Sequence, residues 1–140
     1  MTEEVIEQYV DTSVLSFLTK SGEYGTQYQA LIGDSRIVIP SVVRAELRAY
    51  PNWGDARRER LETLLLECVH APTTEATENW WSLASQQRRD LNLAGSVGDN
   101  DLWIIASAAE HSVPLVTHDR RQIAIAQALG VTVRTALPED

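Results

Sequence analysis

Residues 98–119 limit the possible folds of this chain more than any other stretch. They read as one amphipathic helix followed by one buried strand, with an aspartate near each outer end. Leu102, Ile105, Ala106 and Ala109 fall at the i, i+3, i+4 and i+7 positions of a helix face. Gly98 and Asp99 supply start signals, and Pro114 stands just past the end. Val113 to Thr117 is a short apolar run that stops at His118 and Asp119, as a core strand of a parallel sheet does. A short connection makes helix and strand pack antiparallel, so the helix start and the strand end share one edge of the sheet. Asp101 and Asp119 are therefore predicted to lie near one another. Ligands of open α/β sheets gather beyond the carboxyl ends of the strands. This pair of carboxylates is a candidate metal site.

The rest of the chain repeats the alternation. Val5–Val10 reads as a first strand running into Asp11-Thr12-Ser13, and Val14–Thr19 as a helix capped by Thr12 or Ser13. A second helix is expected over Thr26–Ile32, closed by Gly33, and a strand over Arg36–Ile39. Ser41 opens a helix that Pro51 stops at about Tyr50, and Pro51–Asp55 reads as a turn. Helices over Arg57–Glu67 and Thr73–Asp90 flank a short strand over Cys68–Ala71. Leu91–Gly98 reads as a loop, and a last helix, Arg120–Leu129, precedes a last strand, Val131–Val133. Strands alternating with helices predict an α/β domain with a mainly parallel sheet. With 140 residues and no repeat or linker, one domain over 1–140 is expected, with short acidic ends at about 1–4 and 137–140 that could fray.

No window approaches the length of a membrane span, and the acidic start Met1-Thr2-Glu3-Glu4 is unlike a secretory signal, so a cytoplasmic protein is expected. Cys68, the one cysteine, rules out an intramolecular disulfide and any multi-cysteine zinc site, and reads as a small buried hydrophobe. The three histidines have no ligand spacing. His118 is expected to face solvent, and Trp80 and Trp81 to serve the core and a dimer surface. A formal net charge of −8 argues against broad attraction to nucleic acid, so a nucleic-acid substrate would depend on local arginines or a metal. Lys20 is the only lysine, and no glycine-rich phosphate loop is present.

Four acids stand out. Asp11 follows the first strand directly, which sends it to the same sheet edge as Asp119; a helix cap is the competing role. Glu46 is an i, i+4 neighbour of Val42 and flanks the row Val43, Leu47, Tyr50, so it sits beside the buried stripe. An unpaired carboxylate there is costly, and a metal or an arginine would relieve it. Asp99 and Asp101 are two apart and cannot both face one ligand, so Asp99 is assigned the N-cap and Asp101 the functional role. Thr117 either supports a carboxylate or fills a strand position, and Arg120 and Arg121 are candidate phosphate contacts.

Four segments, in order, resemble the PIN-domain nucleases, most closely the VapC-type toxins of prokaryotic type II toxin–antitoxin pairs. They are Tyr9–Leu15, Ile39–Leu47, Asn100–Ala108 and Leu115–Asp119. The resemblance implies a PIN-like three-layer domain, a twisted parallel sheet flanked by helices. It implies an acidic quartet of Asp11, Glu46, Asp101 and Asp119, meeting within reach of one divalent ion, with Ser13 and Thr117 as hydroxyls beside it. Asp99 either reaches a second metal or merely caps. After Asp119, Arg120-Arg121-Gln122-Ile123 departs from the family's frequent Asp-Phe-like continuation.

The implied activity is that of a Mg²⁺- or Mn²⁺-dependent endoribonuclease, since Mg²⁺ takes carboxylate and water oxygens. The implied partners are RNA, a small antitoxin with a basic tail, and a second copy of the chain in a homodimer, with no membrane. An RNA-processing nuclease without an antitoxin and a non-catalytic binding module of the same fold are the alternatives. Phosphatases of the haloacid-dehalogenase type need an Asp where Ser13 stands, and response-regulator receivers need a late lysine, whereas Lys20 comes early.

Overall fold

A computed structural model of the chain describes residues 6–49 and 54–139. The elements in order are β1 (Glu7–Val10), α1 (Thr12–Leu18), α2 (Glu23–Ile32), β2 (Arg36–Pro40), α3 (Ser41–Ala49) and α4 (Asp55–Glu67). They continue as β3 (Val69–Ala71), α5 (Glu75–Asp90), α6 (Asp99–His111), β4 (Leu115–Val116), α7 (Arg120–Ala128) and β5 (Val133–Arg134). The five strands form one parallel sheet in the order β3-β2-β1-β4-β5. The α/β architecture expected from the alternation is the one observed.

β1 is central and shows why helices cover both faces. Gln8, Tyr9 and Val10 are all buried, although successive strand residues point to opposite faces. On one face the Tyr9 hydroxyl meets Ser107 Oγ of α6 at 2.6 Å. On the other, Gln8 Nε2 donates to Ser35 Oγ at 2.8 Å, just beyond the end of α2, and Arg134 Nη1 donates to Gln8 Oε1 at 3.0 Å. Leu15, Ile39, Leu47, Leu102, Ile105 and Ile125, from five different elements, complete a core with no accessible side chain among them beyond 1%.

Several boundaries differ from the sequence reading. The first strand starts at Glu7, with Ile6 exposed ahead of it. The helix after it is capped by Asp11, whose carboxylate accepts from the Val14 amide, and not by Thr12 or Ser13. α2 begins three residues earlier than its apolar pattern, because Glu23 enters the first turn after Gly22. α5 starts after Thr74, whose hydroxyl accepts from the Thr77 amide. β4 keeps only Leu115 and Val116 of the apolar run, and β5 shifts to Val133–Arg134. The readings for Val5, for Tyr50, for the turn at 51–53 and for the ends at 1–4 and 140 lie outside the described residues. Nearer the C-terminus, the Leu137 amide donates to Thr135 Oγ1 at 3.1 Å and Arg120 donates to the Pro138 carbonyl at 2.6 Å.

Cys68 is buried as expected, with Sγ donating to the Leu64 carbonyl, and burial pushes its thiol up to about 11. It is therefore a neutral core group at physiological pH. Trp81 packs against the core and near Trp103, with ring centroids 5.5 Å apart. Among the described residues, no helix is long and apolar enough to cross a membrane.

Candidate active site

The strand order reverses at β1: β2 and β3 lie to one side of it, β4 and β5 to the other. Such a switch point opens a crevice at the carboxyl ends of its two strands. The β1–β4 register pairs Val10 with Val116, so the next positions, Asp11 and Thr117, face each other across the crevice. Thr117 Oγ1 donates to Asp11 Oδ2 at 2.6 Å. Ser13 Oγ donates to both carboxylate oxygens at 2.9 and 3.0 Å, and the Val14 amide to Oδ1 at 2.9 Å. Asp11 is fully buried; burial raises its pKa, and these donors oppose the shift. The capping and buried-site roles of Asp11 are thus served by the same carboxylate.

Above Asp11 lies a cleft of about 940 Å³ whose walls include Ser13, Glu46, Asp101 and Asp119. Each arrives by a different local rule. α3 begins directly after β2, which puts Glu46 in its second turn, beside the buried Val43 and Leu47. Both Glu46 oxygens are held: Thr12 Oγ1 donates to Oε1 at 3.2 Å and Asn100 Nδ2 to Oε2 at 2.5 Å. Asp101 stands in the first turn of α6 and accepts from the Gly98 amide at 3.3 Å. Burial pushes Asp101 up to about 6, and Asp11, Glu46 and Asp119 add repulsion. Asp119 caps α7, with Oδ1 accepting from the Arg121 and Gln122 amides at 2.8 and 3.4 Å.

The remaining sequence candidates fall differently. Asp99 is not the N-cap of α6; Gly98 holds that position. Asp99 pairs instead with Arg88 Nη1 at 3.0 Å and is largely exposed, which takes it away from the cleft carboxylates. Arg120 and Arg121 do line the cleft, but each has a protein partner: the Pro138 carbonyl for Arg120, and Asp119 at 3.6 Å for Arg121. His118 does not simply face solvent. Its ring stands edge-on to Phe17, Tyr24 and Tyr28, and its Nδ1 lies 2.6 Å from the Tyr28 hydroxyl. Two residues that hold Glu46, Thr12 and Asn100, escaped assignment. The signal was only their adjacency to Asp11 and Asp101.

The donors at this cleft are carboxylates and hydroxyls, the oxygen chemistry that Mg²⁺ and Mn²⁺ accept. Among the described residues no three His, Cys, Asp or Glu side chains form a group that could hold an ion by themselves. The expected close convergence of all four acids is therefore not present as a complete ligand set. Mg²⁺ commonly keeps several waters and takes only one or two carboxylates directly. The residues fit an ion held in that hydrated manner.

Comparison with known proteins assigns the chain to a family. The PIN domain family pattern matches residues 8–128, and the chain belongs to that family. Within it, similarity runs to the VapC type. The chain is 33% identical over 132 residues, 89% of its length and 91% of the relative's, to Ribonuclease VapC5 of Mycobacterium tuberculosis. VapBC-5 of the same organism, a member of the VapBC family of toxin–antitoxin systems, superposes with a TM-score of 0.61 at 29% identity, over 92% of this chain and 96% of that one. The DNA-bound VapBC structure from Salmonella typhimurium superposes with a TM-score of 0.73 at 16% identity, covering 94% and 98%.

Proposed function

We propose that this protein is a Mg²⁺- or Mn²⁺-dependent endoribonuclease and the toxin of a toxin–antitoxin pair. The observation that carries this reading is the assembly, from three separate helices, of Glu46, Asp101 and Asp119 around one cleft, with the buried Asp11 behind Ser13. Burial raises the pKa of Asp101 and the repulsion of Asp11, Glu46 and Asp119 adds to it, and a cation removes that cost. Relatives named as a ribonuclease and as toxin–antitoxin complexes support the same reading.

Asp11, Asp101 and Asp119 are assigned to hold the ion, directly or through water, and Glu46 to hold it or to orient the attacking water. When bound, Mg²⁺ supplies an acidified water for hydrolysis and offsets charge on the phosphate. Ser13 and Thr117 fix the Asp11 carboxylate, and Thr12 and Asn100 fix Glu46. Preorganised donors of this kind avoid reorganisation during the reaction. The net charge of −8 suits an antitoxin with a basic segment, and a homodimer is the assigned assembly.

The decisive experiment is cleavage of single-stranded RNA by the purified protein with Mg²⁺, against Asp101→Asn. Cleavage by the first and not the second is expected; equal rates would remove Asp101 from the reaction. Growth arrest on induced expression, relieved by co-expressing the neighbouring reading frame, is the expected result for the toxin assignment. Arrest that the neighbour leaves unchanged would favour an RNA-processing role.

A further inference from the structure

A second hollow, of about 360 Å³, adjoins the cleft and shares Lys20 with it. Its wall is formed by the end of α1, the α1–α2 turn, part of α2, and Arg60 of α4. The chain has 20 acidic residues against 12 basic ones, yet among the described residues no Asp or Glu lines this hollow. Lys20, the only lysine, lies over the Phe17 ring with Nζ 5.0 Å from its centroid. Arg60 is anchored by its Nε, which donates to the Thr19 carbonyl at 2.8 Å.

Neither Lys20 nor Arg60 forms an ion pair among the described residues, whereas Arg48, Arg88 and Arg121 each pair with a carboxylate. The side chains of Ser21 and Gln29, on the same wall, also make no hydrogen bond to the described protein groups. Two cations, a hydroxyl and an amide around a hollow free of carboxylates make a cradle for an anion. Anchoring Arg60 through Nε leaves its terminal nitrogens for such an acceptor, in the fork geometry that suits phosphate.

We propose that this hollow is a phosphate subsite, which holds a backbone phosphate of the RNA strand at a distance from the scissile bond. The inference rests on the ribonuclease reading, because the hollow extends the same cleft. Single strands track basic grooves, and on a chain of net charge −8 a local field must do what the global one opposes.

The test measures anisotropy of a labelled single-stranded RNA on the full chain in chelator, across a range of salt. Lys20→Gln and Arg60→Gln are each expected to lower affinity roughly three- to tenfold and to flatten the log–log salt slope by about 0.7. Arg36→Gln makes the same charge change at the exposed start of β2, the sheet edge opposite the cleft, and is expected to leave both nearly unchanged. Arg60→Lys loses the Nε anchor as Arg60→Gln does, but it keeps the charge and is expected to preserve the slope.

Arg60→Gln indistinguishable from Arg36→Gln would overturn the subsite. So would equal losses in Arg60→Lys and Arg60→Gln, which mark loosened packing, or loss of antitoxin binding with RNA binding intact. Because binding is read without metal or turnover, the two readings separate. Absence of RNA cleavage by the wild type defeats the ribonuclease reading, while the salt slopes still decide the subsite.

Discussion

Thr117 donates its hydroxyl to Asp11 at 2.6 Å across 106 residues of chain, joining the carboxyl ends of the two strands at which the sheet order reverses. Both residues are fully buried, so no water replaces the bond if it is lost. Thr117→Val keeps the shape and removes the donor. It is expected to cost about 1–3 kcal/mol, the usual penalty for an unsatisfied buried group. Urea unfolding at pH 7 measures it, with Thr117→Ser expected to retain most of the stability. A Thr117→Val protein as stable as wild type would mean that Ser13 and the Val14 amide suffice.

Asp101 gives a pH signature. Its carboxyl is raised from 3.8 to about 6 in the folded state, chiefly by burial. Between those values the folded chain binds the proton more tightly than the unfolded one, so this group's contribution to stability grows as pH falls from about 6 to about 4. Above pH 6 the charged carboxylate is a net penalty on folding. Relative to Asp101→Asn, the wild type is expected to gain in melting temperature between pH 7.5 and pH 5. A constant difference across that interval would contradict the shift.

Asn100 is exposed, yet its amide holds Glu46 Oε2. Asn100→Ala is expected to leave thermal stability nearly intact and to reduce RNA cleavage roughly 10- to 100-fold, the usual effect of losing a partner that orients a metal-site carboxylate. Asn100→Asp sets a second carboxylate against Glu46 and is expected to be at least as damaging. Unaltered cleavage in both would show that Thr12 alone positions Glu46.

Metal removal follows from the oxygen donors. Chelation is expected to abolish cleavage and excess Mg²⁺ to restore it. At one hundred times its Kd, an ion that binds only the folded chain adds about 2.7 kcal/mol. Calorimetry is expected to show a Mg²⁺-dependent rise in melting temperature that Asp101→Asn reduces. A rise of equal size in the variant would place the ion elsewhere.

Periodicity and local chemistry made much of the fold legible. The stripe Leu102, Ile105, Ala106, Ala109 and the apolar run to Thr117 set an antiparallel helix–strand unit, and the structure brings Asp101 and Asp119 to one cleft as that unit requires. Adjacency to Val10 likewise fixed Asp11 at the sheet edge. Boundaries were less legible, because a strand ends where its ladder partners end. β4 keeps only Leu115 and Val116, which pair with β1 on one side and β5 on the other, although the apolar run is longer.

Through periods of 2 and 3.6 residues and through its start and stop residues, the sequence by itself determined which side chains share a face and that Asp11, Asp101 and Asp119 end at the carboxyl edge of the sheet. Partners far apart in the chain were decided only by tertiary structure. Arg88 meets Asp99 from a separate helix, Asn100 reaches Glu46 across 54 positions, and Arg60 joins Lys20 around a hollow that neither segment encloses alone. Local pattern carries no information on such pairings, because each depends on how two independently formed segments are set against the same sheet.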